Sequence, residues 1–146
     1  MIGSAAQERV VPAQLVANAR AAEAAGFASA WVSHIPWSLD ALAALTLAAG
    51  ATERIELGTA VVPTYPRHPL SLAQAALSVQ AASGGRLTLG IGPSHPYVIE
   101  TMYGLTWDRP AHHTAEYVQA MRACFATGPN AASSGSPDSL AACSSR

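Results

Sequence analysis

Arg54-Ile-Glu-Leu-Gly-Thr-Ala-Val-Val62 leads into Pro63-Thr-Tyr-Pro-Arg-His-Pro69, and further on Arg86-Leu-Thr-Leu-Gly-Ile-Gly92 leads into Pro93-Ser-His95. Each run reads as a short strand, and each ends in a turn that carries side chains able to do chemistry. Between them Pro69 opens a helical pattern in which Leu72, Ala76 and Val79 recur on one face, and Gly84-Gly85 closes it. Strand, loaded turn, helix, strand, loaded turn is the order of a parallel α/β barrel. In such barrels the active site is built on the rim past the strand ends.

Upstream the same grammar continues. Pro12 to Ala25 reads as a helix, with proline in the first turn and Gly26 as the stop. Ser29-Ala-Trp-Val-Ser33 reads as a buried strand ending in His34-Ile-Pro36. Ser38 is placed to cap a second helix from Leu39 to about Ala51. Downstream, Val118, Met121 and Phe125 describe one face of a helix over about 111–126. The alternation argues for right-handed βαβ crossovers and a parallel sheet. The fold class expected is α/β, a partial (β/α)8 TIM barrel of about the first half, because a whole barrel needs roughly 200 to 250 residues and the chain has 146. Met1 to Ser4 is a remnant of one more strand on this reading. The stretch 127–146, dominated by Ser, Ala, Gly and Pro, is expected to form a disordered tail. The barrel part is thus 1–126. A half barrel exposes two sheet edges, which invites self-association.

Composition narrows the function. Half of the residues are hydrophobic, so a real core is available, while a net charge of −1 with 12% charged residues offers no footprint for nucleic acid or an anionic membrane. Every basic residue is Arg, which together with the abundant Ala reads as coding bias. Cys124 and Cys143 lack metal-ligand spacing, and no disulfide framework is expected. No apolar run approaches the roughly 20 residues that span a bilayer, and the first residues carry no secretory pattern. A cytoplasmic protein acting on a small molecule is the expectation.

Several blocks resemble a known family. Ala30-Trp-Val-Ser-His34, Asp40-Ala-Leu42, the run from Ile55 to Pro69, the run from Val79 to His95, Met102-Tyr-Gly-Leu and Asp108-Arg-Pro110 look like the N-terminal half of the bacterial luciferase-like flavin monooxygenases. The likeness is strongest to the branch that uses the deazaflavin coenzyme F420. It implies a (β/α)8 barrel binding F420, or alternatively FMN, at its rim, and either hydride transfer or monooxygenation. His34 matches a position used for proton transfer or for contact near the reactive ring, and imidazole titrates in the right range for such a role. Ala60-Val61 matches the place where the family often carries a non-prolyl cis peptide. Thr64, Tyr65 and Arg67 fall on the rim, Tyr65 suited to covering an aromatic ring and Arg67 to fixing an anion; rigid packing of a turn that holds Pro63, Pro66 and Pro69 is an equal alternative. The match places Gly92, Pro93 and Ser94 where backbone approaches the cofactor, and His95 near a site where relatives hold an acid.

Other chemistries find less in the chain. Gly90-Ile-Gly92 lacks the third glycine of a dinucleotide fingerprint. His34, His68 and His95 each follow a different strand, as a metal-dependent hydrolase rim would need, yet no His-x-His pair or strand-end carboxylate completes a ligand set. His112 and His113 diverge by about 100° on a helix and read as solvated surface residues. Trp31, Trp37 and Trp107 read as packing residues. Nothing resembles the family's second half, so a truncated copy, frameshift-derived past Phe125 and inactive alone, is the expected state; a non-enzymatic half barrel that self-associates or complements a partner is the alternative.

Overall fold

A computed structural model describes residues 11–126 of the chain. Its elements run in the order α1 (Pro12–Ala24), β1 (Ser29–Val32), α2 (Ala41–Ala49), β2 (Glu56–Thr59), β3 (Val62–Pro63), α3 (Pro69–Ala82), β4 (Leu87–Thr88), β5 (Ile91–Gly92), a π-helical turn Tyr97–Met102, and α4 (Pro110–Ala126). All strand pairing is parallel: β1 with β2 and β2 with β4 in one sheet, β3 with β5 in another. The expected Met1–Ser4 strand and the expected tail over 127–146 lie outside the described residues.

Two compact units emerge. One joins residues up to Val61 with Val79–Gly90; the other joins Val62–Ser78 with Ile91 onward. In the first, α2 carries the core. Ala41, Leu42, Ala44, Leu45, Ala48 and Ala49 are buried, a spacing of three, four and seven that turns one broad stripe inward. Leu57 of β2 and Ile55 just before it are also fully buried.

Polar latches fix the register of this unit. The Arg86 guanidinium donates to the carbonyls of Ala49, Thr52, Ile55 and Ser83 and to Thr52 Oγ1, at 2.7–3.2 Å. One planar fork thereby satisfies the last carbonyl of α2, two carbonyls of the loop that follows it and one just past α3. On the same loop, the Glu23 carboxylate of α1 accepts from the backbone N–H groups of Glu53, Arg54 and Ile55. Those bonds, led by Arg54 and Ile55, hold Glu23 below the usual carboxylate range.

Each of the two long strands expected over 54–62 and 86–92 is in fact two short ones. The reason is visible at Thr59, whose buried hydroxyl donates to Gly90 O and accepts from Gly90 N, both at 2.8 Å. A side chain here takes over the bonds that a backbone ladder would make. Gly90 is required by the closeness of this approach, since a Cβ there would stand 2.2 Å from Thr59 O.

Helix ends mostly follow the sequence grammar. Pro12 opens α1, and Gly84 and Gly85 stop α3 with positive φ of 63° and 92°. The cap of α2 departs from it: Asp40, not Ser38, accepts from Leu42 N and Ala43 N, while Ser38 N is spent on Ile35 O in the preceding turn. In the second unit, α4 buries Tyr117, Met121 and Cys124, and Phe125 stays 41% exposed. The inward stripe is therefore turned by about one residue from the expected Val118, Met121 and Phe125. Among the described residues no helix is long and apolar enough to cross a membrane.

Candidate functional site

In the first unit, His34 and the Ala60–Val61 step stand past the ends of β1 and β2. The His34 ring is only 9% exposed, and its Nδ1 lies 3.3 Å from Ala41 N, the first residue of α2. A backbone N–H can only donate, so Nδ1 accepts and the ring proton sits on Nε2. Asp40 Oδ2, at 3.9 Å, is beyond hydrogen-bond reach of that nitrogen. His34 thus helps to cap α2, and that bond fixes its tautomer. The Ala60–Val61 peptide is cis, the isomer that the resemblance implies there, with Ala60 N donating to Val32 O and the Val61 side chain exposed. Gly58 gives the Trp31 ring its place: a Cβ on Gly58 would come within 2.2–2.6 Å of ring carbons.

In the second unit the candidates cluster on two loops. Thr64 N donates to Gly92 O at 3.0 Å, which ties the turn after β3 to the end of β5. Gly92 is buried and Pro93 half-buried. Ser94 takes a left-handed backbone with φ 70°, and His95 is exposed. A non-glycine residue in that region is uncommon, and such residues gather at binding sites.

Around Thr64, Tyr65 and Arg67 the structure adds partners that sequence reasoning missed. The His113 ring stacks on Tyr65 with centroids 3.9 Å apart and 15° between planes, and its Nε2 is 3.0 Å from Thr64 Oγ1. Tyr65 OH donates to Asp108 O at 2.5 Å, and Tyr117 OH donates to Arg67 O at 3.0 Å. His113 is therefore half-buried in a polar cluster and corrects the reading of a solvated residue; His112 is exposed and paired with Glu116 at 3.3 Å. The signal was present as spacing: 113, 117, 121 and 124 lie on one face of α4.

Burial governs the electrostatics of this cluster. It pushes the Tyr117 hydroxyl up to about 12, against a smaller opposing effect of Arg67. It also raises Tyr65, helped by Asp108, and lowers His113 below the usual imidazole range despite Glu116. A depression of about 230 Å³ lined by Tyr65, Asp108, Arg109, His112, His113 and Glu116 opens beside it.

His68, the third histidine of the hydrolase reading, accepts at Nδ1 from Leu70 N and so caps α3. Among the described residues no group of three or more His, Cys, Asp or Glu is placed to hold a metal ion, and the hydrolase reading finds no support.

Parallel strands and intervening helices define an α/β protein of the barrel type. The luciferase-like monooxygenase family matches residues 2–137, and the chain belongs to that family. A Mycobacterium tuberculosis protein provisionally named a coenzyme F420-dependent oxidoreductase is 40% identical over 114 residues, 78% of this chain and 32% of that protein. Among solved structures, the monooxygenase RslO1 of Streptomyces bottropensis superposes with a TM-score of 0.71 at 26% identity, covering 76% of this chain and 36% of that one. The coenzyme F420-dependent tetrahydromethanopterin reductase of Methanopyrus kandleri superposes with a TM-score of 0.68 at 29% identity, with the same coverage. The fold is thus a partial TIM barrel, and the chain spans about a third of the length of these relatives.

Proposed function

We propose that this chain supplies part of a coenzyme F420 site in an oxidoreductase that transfers hydride to or from a small molecule. What supports this most is the grouping, within the second unit, of Thr64, Arg67, Ser94 and His95 past β3 and β5, with His34 past β1 in the first unit, in a chain whose relatives include F420-dependent enzymes. The residues present suit such a group in part. The left-handed Ser94 turn opens strand-end backbone beside an exposed imidazole, which favours close approach of a polar ring edge. Tyr65 suits it less, because one face of its ring is already covered by His113.

When bound, F420 supplies the hydride acceptor or donor. The chain's own part is positional and protonic. His34, with its proton held on Nε2, is the group proposed to deliver or receive the proton that accompanies hydride. Backbone at Gly92, Pro93 and Ser94 sets the depth of the site, and Arg67 offers a cation for an anionic substituent. Ala60 and Val61 form the wall behind the ring on this proposal, and His95 stands as a second proton-bearing group.

Monooxygenation with FMN is the second enzymatic reading, favoured by the superposition on a monooxygenase. Titrating the full chain separately with F420 and with FMN, under reducing and oxidising conditions, separates the two: selective binding of F420 supports the proposal and selective binding of FMN replaces it. Activity by this chain alone is not part of the proposal, since two thirds of the length of its relatives has no counterpart in it.

One observation favours a non-enzymatic reading. β1 has a single strand neighbour among the described residues, and Phe27 before it and Trp31 within it are 66% and 51% exposed, an unpaired edge and apolar surface of the kind that pairs with a second chain. Light scattering after size exclusion tests it: a dimer that Trp31→Arg dissociates supports self-association, and a monodisperse monomer excludes it.

A further inference from the structure

We propose that His113 is a positioning residue: stacked on Tyr65 and hydrogen-bonded to Thr64, it sets the conformation of the Thr64–Arg67 turn. That turn is grasped from α4 at three points. His113 Nε2 meets Thr64 Oγ1 at 3.0 Å, the His113 ring covers one face of Tyr65 at 3.9 Å, and Tyr117, one helical turn on, donates to Arg67 O at 3.0 Å. Asp108, just before α4, closes the grip by accepting from Tyr65 OH. The other side of the turn is tied down by Thr64 N to Gly92 O. Thr64 is 1% exposed, so no water substitutes readily for the imidazole.

Protonating His113 puts a charge on a half-buried ring whose stacking partner is a neutral phenol. The groups around it are mixed. Tyr65 faces it from the turn, Asp108 and Arg109 from the entry to α4, and His112, Glu116 and Tyr117 from its own helix, while Arg67 on the turn acts on Tyr117. Glu116 favours the charged ring, but burial outweighs it. The turn is therefore at its most ordered when the ring is neutral and loosens under acid. Only the functional consequence, that a loosened turn weakens cofactor binding, rests on the F420 reading above.

Amide hydrogen exchange of Thr64 and Arg67 in the full chain, normalised for intrinsic rates, reads the proposal directly. Wild type is expected to lose protection as pH falls below about 6.5, the ordinary imidazole value. His113→Phe keeps a stacked ring without a titrating nitrogen and is expected to show a flat pH profile. His113→Gln keeps a hydrogen bond to Thr64 without the stack and, like His113→Ala, is expected to exchange at least about tenfold faster at pH 8. A pH profile that survives in His113→Phe, or unchanged exchange in His113→Ala, overturns the proposal. Should His113→Ala fail to fold, the comparison of wild type with His113→Phe decides alone. F420 titration of the same proteins keeps the two readings apart: wild type that shows the exchange pattern and binds no F420 refutes the cofactor reading and leaves the positioning of the turn standing.

Discussion

Single residues outside the candidate site carry testable weight. Glu23 is the clearest case, because three backbone donors favour its ionised form in the folded chain alone. Its folded value lies below the ordinary 4.5, so on acidification the unfolded chain takes up the proton first. Its stabilisation is complete above the ordinary value and is lost as pH falls through the lowered one. Denaturant titrations of wild type and Glu23→Gln are expected to differ at pH 6 and to converge under acid; a difference independent of pH contradicts the assignment. Arg86→Lys keeps the charge and loses the fork, which is expected to cost about 2–3 kcal/mol by leaving several carbonyls without donors. Gly90→Ala forces Cβ against a backbone oxygen and is expected to cost about 1–3 kcal/mol. Thermal unfolding checks both, and an unchanged Tm in either refutes the corresponding latch. His113 shows why such details escape a linear reading. Its neighbour His112 has the same residue type and is exposed, and only the phase of α4, set by which face docks, tells them apart.

Elements were the most legible level. Proline at the start and glycine at the end bounded α1 and α3, and the buried stripe of α3, with Leu72, Ala76 and Val79, follows the sequence spacing. Strand existence was legible too; strand continuity was not. The break between β2 and β3 depends on a Thr59 hydroxyl that reaches a residue 31 positions away, and no local propensity encodes that contact. The cap of α2 was misassigned by two positions for a similar reason: both Ser38 and Asp40 are good caps, and the choice is made by where the helix starts, at Ala41 after the Ile35–Ser38 turn, which puts Asp40 in the capping position. Asp40→Ala is accordingly expected to cost about 1 kcal/mol, and Ser38→Ala close to nothing. Chemical denaturation of the pair checks this, and a reversed order contradicts the observed cap. Leu45, fully buried on α2, is expected to cost about 2–5 kcal/mol when cut to Ala.

For the whole molecule, family membership rests on the family match over residues 2–137 and on long blocks of sequence rather than on any single motif. The candidate residues were legible as positions after strands, His34 after β1 in one unit and Thr64, Ser94 and His95 after β3 and β5 in the other. Their surroundings were not: Thr64 is buried and Tyr65 is engaged by α4, neither of which residue identity could reveal. The central claim is that these residues form one part of an F420 site, and fluorescence titration of F420 with the full chain tests it most directly. Saturable but weak binding is predicted, with Kd of about 0.1 mM or above because only some of the contacts are present, no turnover, and loss of binding in the Arg67→Ala, His95→Ala double variant. Tight binding with turnover, or binding that the double variant leaves unchanged, contradicts the account.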